Sequence, residues 1–244
     1  MEILSQNLIN TTTMIMADSG TGLTQYLFDR NKRLGYATVG YSGATVTTIS
    51  IEFDNPVVIS TLLLQETNLG AVSGYYDSLT TNALFSITGS SDGSLYIPFG
   101  SVTVSSFQLQ LNNATGERSI GEMVLCEKLL SFERNPAVNG FTPSIARKQI
   151  EHEMPDGGRV LFNIRDKYRA NLNWKFVTPT FHDDLLSIYE TAEPFYFVPF
   201  PTTTAWDGRG HEVVWVGDFD FKHSTNDKQQ GYSGGINMRE TPSG

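Results

Sequence analysis

Apolar and polar residues alternate along several short segments of this chain, and this alternation constrains the fold more than any other feature of the sequence. In Thr47–Phe53 the apolar residues Ile49, Ile51 and Phe53 are separated by polar ones, and Phe107–Leu111 follows the same rule. A period of two places the apolar side chains on one face of an extended backbone. Both segments therefore predict half-buried β-strands.

A second kind of strand signal follows the first. Val57–Leu64 is almost continuously apolar and β-branched at its start, which is typical of a strand buried on both faces. The sequence Asp54-Asn55-Pro56 lies between the two segments and predicts a turn. With 22 Gly and only 18% charged residues, the composition also favours short strands joined by polar turns, so we expect a mainly β protein.

The C-terminal half has its own pattern. Arg159–Ile164 and Ala170–Phe176 predict two strands joined by a hairpin at Asp166-Lys167. Apolar residues at helical spacing then predict one helix over 180–192, beginning at a capping box formed by Thr180 to Asp183.

At 244 residues the chain has the length of two ordinary domains. The stretch from 131 to 157 combines three prolines with a charge cluster and shows no clear period, so it is interpreted as a connecting segment. The sequence therefore predicts a jelly-roll β-sandwich over 1–130, a linker over 131–157, and a second β-sandwich or barrel over 158–244 with the helix on its flank.

Net charge and cysteine content exclude several classes of protein. The formal charge of −9 argues against a nucleic-acid binder, because such proteins need a cationic surface to displace counterions. The single cysteine, Cys126, cannot form an intrachain disulfide and is expected to be a buried thiol. The N-terminal residues do not have the pattern of a secretion signal, and no apolar run is long enough for a membrane span.

Candidate catalytic and metal-binding groups are few and lack a motif. The four histidines do not have metal-ligand spacing, and we expect neither a metal nor a cofactor. Glu151-His152-Glu153 is interpreted as a solvated surface. Asp218 and Asp220 share one strand face, which alternation alone explains. An enzyme that degrades polysaccharides with Asp218, Asp220 or Glu122 remains an alternative, but we predict that the protein is not an enzyme.

Two aromatic groups are candidate binding surfaces. An exposed aromatic edge would indicate a protein interface, and its members are Phe195, Tyr196, Phe197, Phe200 and Trp206. A long segment before the first clear strand combines aromatic rings with arginines, a set suited to stacking on a sugar and hydrogen-bonding it. Its candidate glycan-binding residues are Tyr26, Arg30, Arg33, Tyr36 and Tyr41.

The first half resembles a galactose-binding-like (discoidin-type) jelly roll over about residues 5–128. The similarity is carried by an ordered set of segments: Asn7–Asn10, Thr48–Phe53, Asn55–Val57, Ile59–Leu64 with Thr67–Leu69, Phe107–Leu111 and Ile120–Glu122. The resemblance implies the jelly-roll fold and, as one function, attachment to a host-surface glycan.

The second half is similar to the small β-sandwich with one flanking helix found in tail-tube, distal-tail and baseplate proteins of tailed bacteriophages. The similarity is carried by Tyr168–Phe176, Phe181–Ala192, Pro194–Pro199 with Trp206, Glu212–Phe221 and Gly231–Glu240. It implies a structural protein of the virion, made in the bacterial cytoplasm, that assembles with other copies and other tail proteins into or onto a ring. A glycan-binding adhesin module is the alternative.

Overall fold

The computed structural model describes most of the chain in two compact units. Unit 1 consists of Met1–Ser131 and Phe195–Gly210, and unit 2 of Phe132–Pro194 and His211–Thr241. The described residues are 1–9, 14–18, 24–29, 35–38, 46–77, 81–88, 91–112, 116–136, 139–154, 158–201, 210–224 and 231–241.

The described residues form fifteen strands, one α-helix and one short 3-10 helix. In chain order they are β1 (Glu2–Leu4), β2 (Met14–Ala17), the 3-10 helix (Thr24–Leu27), β3 (Tyr36–Ala37), β4 (Val46–Leu69), β5 (Val72–Tyr76), β6 (Ala83–Ile87), β7 (Ser91–Asn112), β8 (Ser119–Cys126), β9 (Lys128–Ser131), β10 (Phe141–Glu153), β11 (Arg159–Val177), α1 (Pro179–Thr191), β12 (Phe195–Val198), β13 (His211–Trp215), β14 (Asp220–His223) and β15 (Tyr232–Glu240). The prediction of a mainly β protein with one α-helix is confirmed for these residues.

The main sheet of unit 1 is antiparallel, with the strand order β3-β8-β4-β7-β5-β6 and β2 alongside β4. Its central strand β4 is buried on both faces, as its apolar run predicts. Leu62 and Leu64 point into a large core, whereas Leu63 between them points into a second, smaller core that also contains Cys126 and Val198. A small sheet of β12, β1 and β9 also belongs to unit 1.

The turn predicted at Asp54-Asn55-Pro56 is wrong. Strand β4 continues through these residues, and its pairing with β7 shifts register between Glu52 and Val57. A register shift of this kind accommodates a proline in a strand because the local ladder is already interrupted. One long bent strand therefore replaces the two expected short ones.

Unit 2 is a four-stranded antiparallel sheet in the order β10-β11-β15-β13, and β14 also pairs with β15. Helix α1 agrees with the predicted 180–192 to within one residue, but its cap differs. The hydroxyl of Thr178 accepts a hydrogen bond from the Phe181 backbone N–H at 3.2 Å, so Thr178 is the N-cap and Thr180 is not. Asp183 consequently lies in the second turn and does not cap the helix.

Two further predictions for this unit are wrong. About half of the predicted linker is strand β10, whose Phe141–Glu153 pairs with β11 along its whole length. The hairpin predicted at Asp166-Lys167 lies inside the continuous strand β11. Strands β10 and β11 are joined instead between Met154 and Gly158, where the Met154 backbone N–H donates to the Gly158 carbonyl at 2.7 Å. The hairpin is fixed by pairing between residues that are distant in the sequence. Such pairing leaves no regular spacing of apolar residues that would predict the strands.

Candidate protein-interaction site

The β10–β11 hairpin extends beyond the rest of its sheet. Strand β15 pairs with β11 only from Arg169 onward, so residues 159–168 of β11 have β10 as their only described strand neighbour. Tyr168 fixes the base of this extension: its ring stacks on His211 at 3.7 Å, and its backbone N–H donates to a Glu240 carboxylate oxygen at 2.7 Å. Burial raises the pKa of the Tyr168 phenol to about 12. A rigid base therefore supports a two-stranded ribbon.

Large apolar side chains are exposed on both faces of this ribbon. By strand register, Ile145 and Leu161 lie on one face, where they are 71% and 61% exposed. Ile150 and Val160 lie on the other face and are also exposed. Apolar residues on both faces are the pattern of a strand that is covered on both sides, and exposed patches of this kind mark contact sites with other proteins.

The ribbon is also basic in a strongly acidic chain. Residues 145–153 of β10 and 159–168 of β11, which form the ribbon, contain five Lys and Arg residues and three Asp and Glu residues. One of the three carboxylates, Glu151, is paired with Arg159 at 3.0 Å. The hairpin therefore carries a net positive charge and suits an acidic partner surface.

Strand β10 forms one edge of the unit 2 sheet. In the part of the chain that the structure describes, no strand pairs with its outer side. A long edge strand is a template for pairing with another chain, and proteins normally shorten or cover such edges. An edge of 13 residues next to exposed apolar side chains is therefore a candidate interaction surface.

The aromatic interface that the sequence predicts is mostly core. Phe195, Tyr196 and Phe197 are all buried in β12, and the Tyr196 hydroxyl donates to the Glu122 carboxylate at 3.2 Å. Phe200 is about half exposed and remains a candidate contact residue. Trp206, the fifth member of that set, lies outside the described residues.

The predicted glycan-binding set is reduced in the same way. Tyr36 is 1% exposed in β3, and burial together with the Asp18 charge raises its pKa to about 12, so its ring is part of the core and is not a surface for a sugar. Tyr26 is partly exposed in the 3-10 helix that Leu27 anchors in the core. Arg30, Arg33 and Tyr41 lie outside the described residues.

The carboxylates considered for catalysis lie in different environments. Asp218 and Asp220 are exposed, and Asp220 lies 3.6 Å from Lys222. Glu122 is buried in unit 1. Within the described ranges, no group of three or more His, Cys, Asp and Glu side chains is placed to hold a metal ion. Cys126 is buried as predicted, and burial raises the pKa of its thiol.

Fold and site together define a class: a mainly β protein with two compact units, one of which projects an apolar, basic hairpin. No helix of the described part has the length and apolar character that crossing a bilayer requires. No protein-family model matches the sequence, and no curated protein is significantly similar to it.

Solved structures that resemble part of this chain include carbohydrate-binding modules. Chitosan-binding module 1 of a Paenibacillus sp. IK-5 chitosanase/glucanase is 18% identical, with a TM-score of 0.41 over 49% of this chain and 97% of the module. The family 32 module of Clostridium perfringens NanJ in complex with galactose is 12% identical, with a TM-score of 0.44 over 50% of this chain and 99% of the module. Similarity at this level does not extend to what the modules bind.

Proposed function

We propose that this protein is a structural subunit of a multi-protein assembly of the phage tail or baseplate kind, located in the virion. The observation that carries the assembly part of the proposal is the β10–β11 ribbon, which exposes Ile145 and Leu161 on one face and Ile150 and Val160 on the other. The phage-tail part rests on the resemblance of the second half of the sequence to tail and baseplate proteins. In an assembly the apolar faces of the ribbon and the edge of β10 would be covered by neighbouring subunits.

The size of the expected effect follows from burial. Covering one side chain the size of leucine stabilises a contact by roughly 1.5–3 kcal/mol, and each 1.4 kcal/mol corresponds to a factor of about ten in affinity. Covering the two apolar side chains of one ribbon face, together with the edge strand, therefore contributes several kcal/mol to a contact, which offsets part of the free-energy cost of association. A monomer gains nothing from exposing them.

Replacing an apolar residue of the ribbon by aspartate is expected to weaken self-association. Leu161→Asp and Ile150→Asp each place a charge on one of the two apolar faces, and each should raise the dissociation constant at least about 10-fold. Light scattering after size-exclusion chromatography, over a range of concentrations of the full chain, measures the change.

The control for this experiment is Leu129→Asp. Leu129 is an exposed leucine on β9 of unit 1, so this variant has the same chemical change away from the ribbon and should assemble as the wild type does. A wild-type chain that stays monomeric at every concentration would contradict the proposal. Equal behaviour of the ribbon and control variants would also contradict it.

A glycan-binding adhesin module is the second candidate. The observation that favours it is Tyr26, whose partly exposed ring is held in place by the buried Leu27 next to it. Aromatic rings presented in this way stack on the apolar face of a sugar. The solved structures with similar folds include modules described as binding chitosan or in complex with galactose. Under this second candidate, the present chain would also bind a carbohydrate.

The Tyr26→Ala variant tests the glycan candidate. If unit 1 binds a glycan through this ring, the variant should lose about 10-fold in affinity for any glycan that the wild-type chain retains on an array. Tyr75→Ala replaces a partly exposed tyrosine of β5 and should bind as the wild type does. Array silence of the wild-type chain would end this candidate and leave the assembly proposal intact.

A further inference from the structure

The structure fixes the direction of the backbone groups along strand β10. Just before the strand the Gly140 carbonyl accepts from the Asn173 N–H at 2.7 Å, and just after it the Met154 N–H donates to the Gly158 carbonyl at 2.7 Å. Both even-numbered residues thus turn toward β11, and neighbouring residues of a strand turn to opposite sides. The register shift of the hairpin skips Ile164 of β11 and no residue of β10, so this alternation is unbroken. The odd-numbered residues of β10 therefore turn their backbone groups outward.

The position of Pro143 agrees with this direction. Proline has no N–H, and Pro143 is odd-numbered, so the missing group costs β10 no bond to β11. Among the strands that the structure describes, β10 is outermost in its sheet, and such an edge is a template for a further strand. From 145 to 153 the edge contains no proline, so each outward-turned residue has both a donor and an acceptor.

Charged residues are sorted along β10. Its two basic residues, Arg147 and Lys148, precede its two acidic residues, Glu151 and Glu153, so the strand itself is neutral. The excess positive charge of the ribbon comes from β11, away from this edge. An antiparallel copy of β10 would place the basic half of one strand opposite the acidic half of the other, whereas a parallel copy would align like charges. The strand is therefore complementary in charge to an antiparallel copy of itself.

Exposed apolar side chains favour one register of this pairing. Ile150 is 49% exposed and Met154 is 47% exposed, and by alternation both lie on the same face of the strand. If Ile150 lies opposite Ile150 of a second copy, Met154 lies opposite Ala146. On the other face, Arg147 then lies opposite Glu153. One register therefore covers the exposed apolar residues of this edge and pairs unlike charges.

A shift of the second copy by two residues is less favourable in either direction. One shift places Ile145 opposite Glu153, which sets an apolar side chain against a carboxylate. The other shift places Glu151 opposite itself, where like charges repel. In the favoured register Glu151 keeps Arg159 of its own chain, at 3.0 Å, as its partner. Charge and burial thus point to the same register.

We infer that strand β10 of one copy pairs antiparallel with β10 of a second copy, with Ile150 opposite Ile150 on the two-fold axis. The inference rests on the proposed function and names one contact within the assembly. The paired segment belongs to the part of the hairpin that extends beyond the rest of its sheet, so the two unit 2 sheets lie at opposite ends of a four-stranded ribbon. The contact is isologous, because each copy contributes the same surface.

Engineered cysteines in the full chain test the register. Ile150→Cys places two thiols at a cross-strand pair without hydrogen bonds, where Cα atoms are about 4.5 Å apart and a disulfide can form. Gln149→Cys is the control, because its two thiols lie on a diagonal with Cα atoms about 7–8 Å apart, too far for a disulfide. The native Cys126 is buried. With diamide as the oxidant, we expect at least roughly 5-fold more disulfide-linked dimer from Ile150→Cys on a non-reducing gel.

Charge reversal tests the same contact by a second route. Arg147→Glu leaves carboxylates at both positions of the pair, and Glu153→Arg leaves guanidinium groups at both, so each variant opposes like charges twice. We expect each substitution to weaken self-association roughly 10-fold. In an equimolar mixture each carboxylate faces a guanidinium, so association should return to the wild-type level. Light scattering at several concentrations measures all three samples.

Matched controls and contrary outcomes complete the test. Lys175→Glu reverses an exposed charge at the far end of β11, and Glu52→Arg reverses one on β4 of unit 1, so both should associate as the wild type does. If the wild type associates but the two cysteine variants form equal amounts of dimer, or the mixture stays dissociated, the β10 contact is wrong while the proposed function stands. If the wild type is monomeric at every concentration, the proposed function fails, and this contact with it.

Discussion

The Trp174→Ala variant is expected to lose about 3–5 kcal/mol of the free energy of unfolding of unit 2. Trp174 is 4% exposed, and its ring packs edge-on against Phe132 at 5.5 Å and Phe181 at 5.8 Å. Its indole N–H donates to the Arg134 carbonyl at 3.1 Å. Alanine removes the side chain that joins β11 to α1, leaves a cavity, and leaves that carbonyl without this donor.

Urea unfolding combined with hydrogen exchange measures this loss and locates it. Protection should fall in β11, β15 and α1 of unit 2 and stay unchanged in β4, β7 and β8 of unit 1. The control is Phe176→Ala, which removes an aromatic ring two residues further along the same strand; this ring is about one third exposed, so the cost should be about 1–2 kcal/mol, less than for Trp174→Ala. Equal losses for the two variants would contradict the assigned core of unit 2.

The sequence predicted those strands and helices whose apolar residues recur at a regular spacing within the element itself. Ile49 and Ile51 alternate with polar neighbours and are fully buried in β4, and Phe181, Leu185 and Ile188 recur at helical spacing and form the buried side of α1. In both cases the period of the apolar residues matches the period of the backbone. One side of such a segment faces the core whatever it packs against, so the neighbours need not be known.

The sequence did not predict the candidate interaction site because the apolar residues of the ribbon do not recur at a regular spacing along the chain. Between 141 and 161 the apolar residues lie on both faces, so Ile145, Ile150 and Leu161 do not repeat with a period of two. Pro143 and the surrounding charges further suggest a loop, although β10 tolerates a proline because it is an edge strand. The signal for this site in the sequence was a set of isolated apolar residues among charged ones. The pairing of β10 with β11 shows that these residues lie on the two faces of a ribbon.

The aromatic candidates show a related limit. A run such as Phe195-Tyr196-Phe197 is equally consistent with an exposed interface and with a strand buried on both faces, and the structure shows the second. Its partner strand, β1, lies almost two hundred residues earlier in the chain, with Leu4 opposite Tyr196. Residue type alone cannot distinguish these cases, because aromatic rings are enriched in both cores and interfaces.

Replacing Arg118 by alanine is expected to destabilise unit 1 by about 3 kcal/mol. Arg118 is 9% exposed, and its guanidinium donates to the Asn112 carbonyl at 3.3 Å and to the Asn68 carbonyl at 3.1 Å. It thereby joins the ends of β7 and β4, and it packs so closely over Gly70 that a Cβ there would lie 2.9 Å from it. Alanine leaves both carbonyls without a charged donor.

The conservative variant Arg118→Lys distinguishes the contribution of the positive charge to stability from that of the hydrogen-bond geometry. A lysine keeps the positive charge, but its single ammonium group does not reproduce the planar fork that reaches two carbonyls, so it should recover less than half of the lost stability. Chemical denaturation followed by hydrogen exchange should place the loss in β4, β7 and β8. The Arg118 backbone N–H donates to the Thr38 hydroxyl at 2.8 Å, and this bond survives both substitutions. A full rescue by lysine would show that charge alone, without the two directed hydrogen bonds, holds these strand ends together.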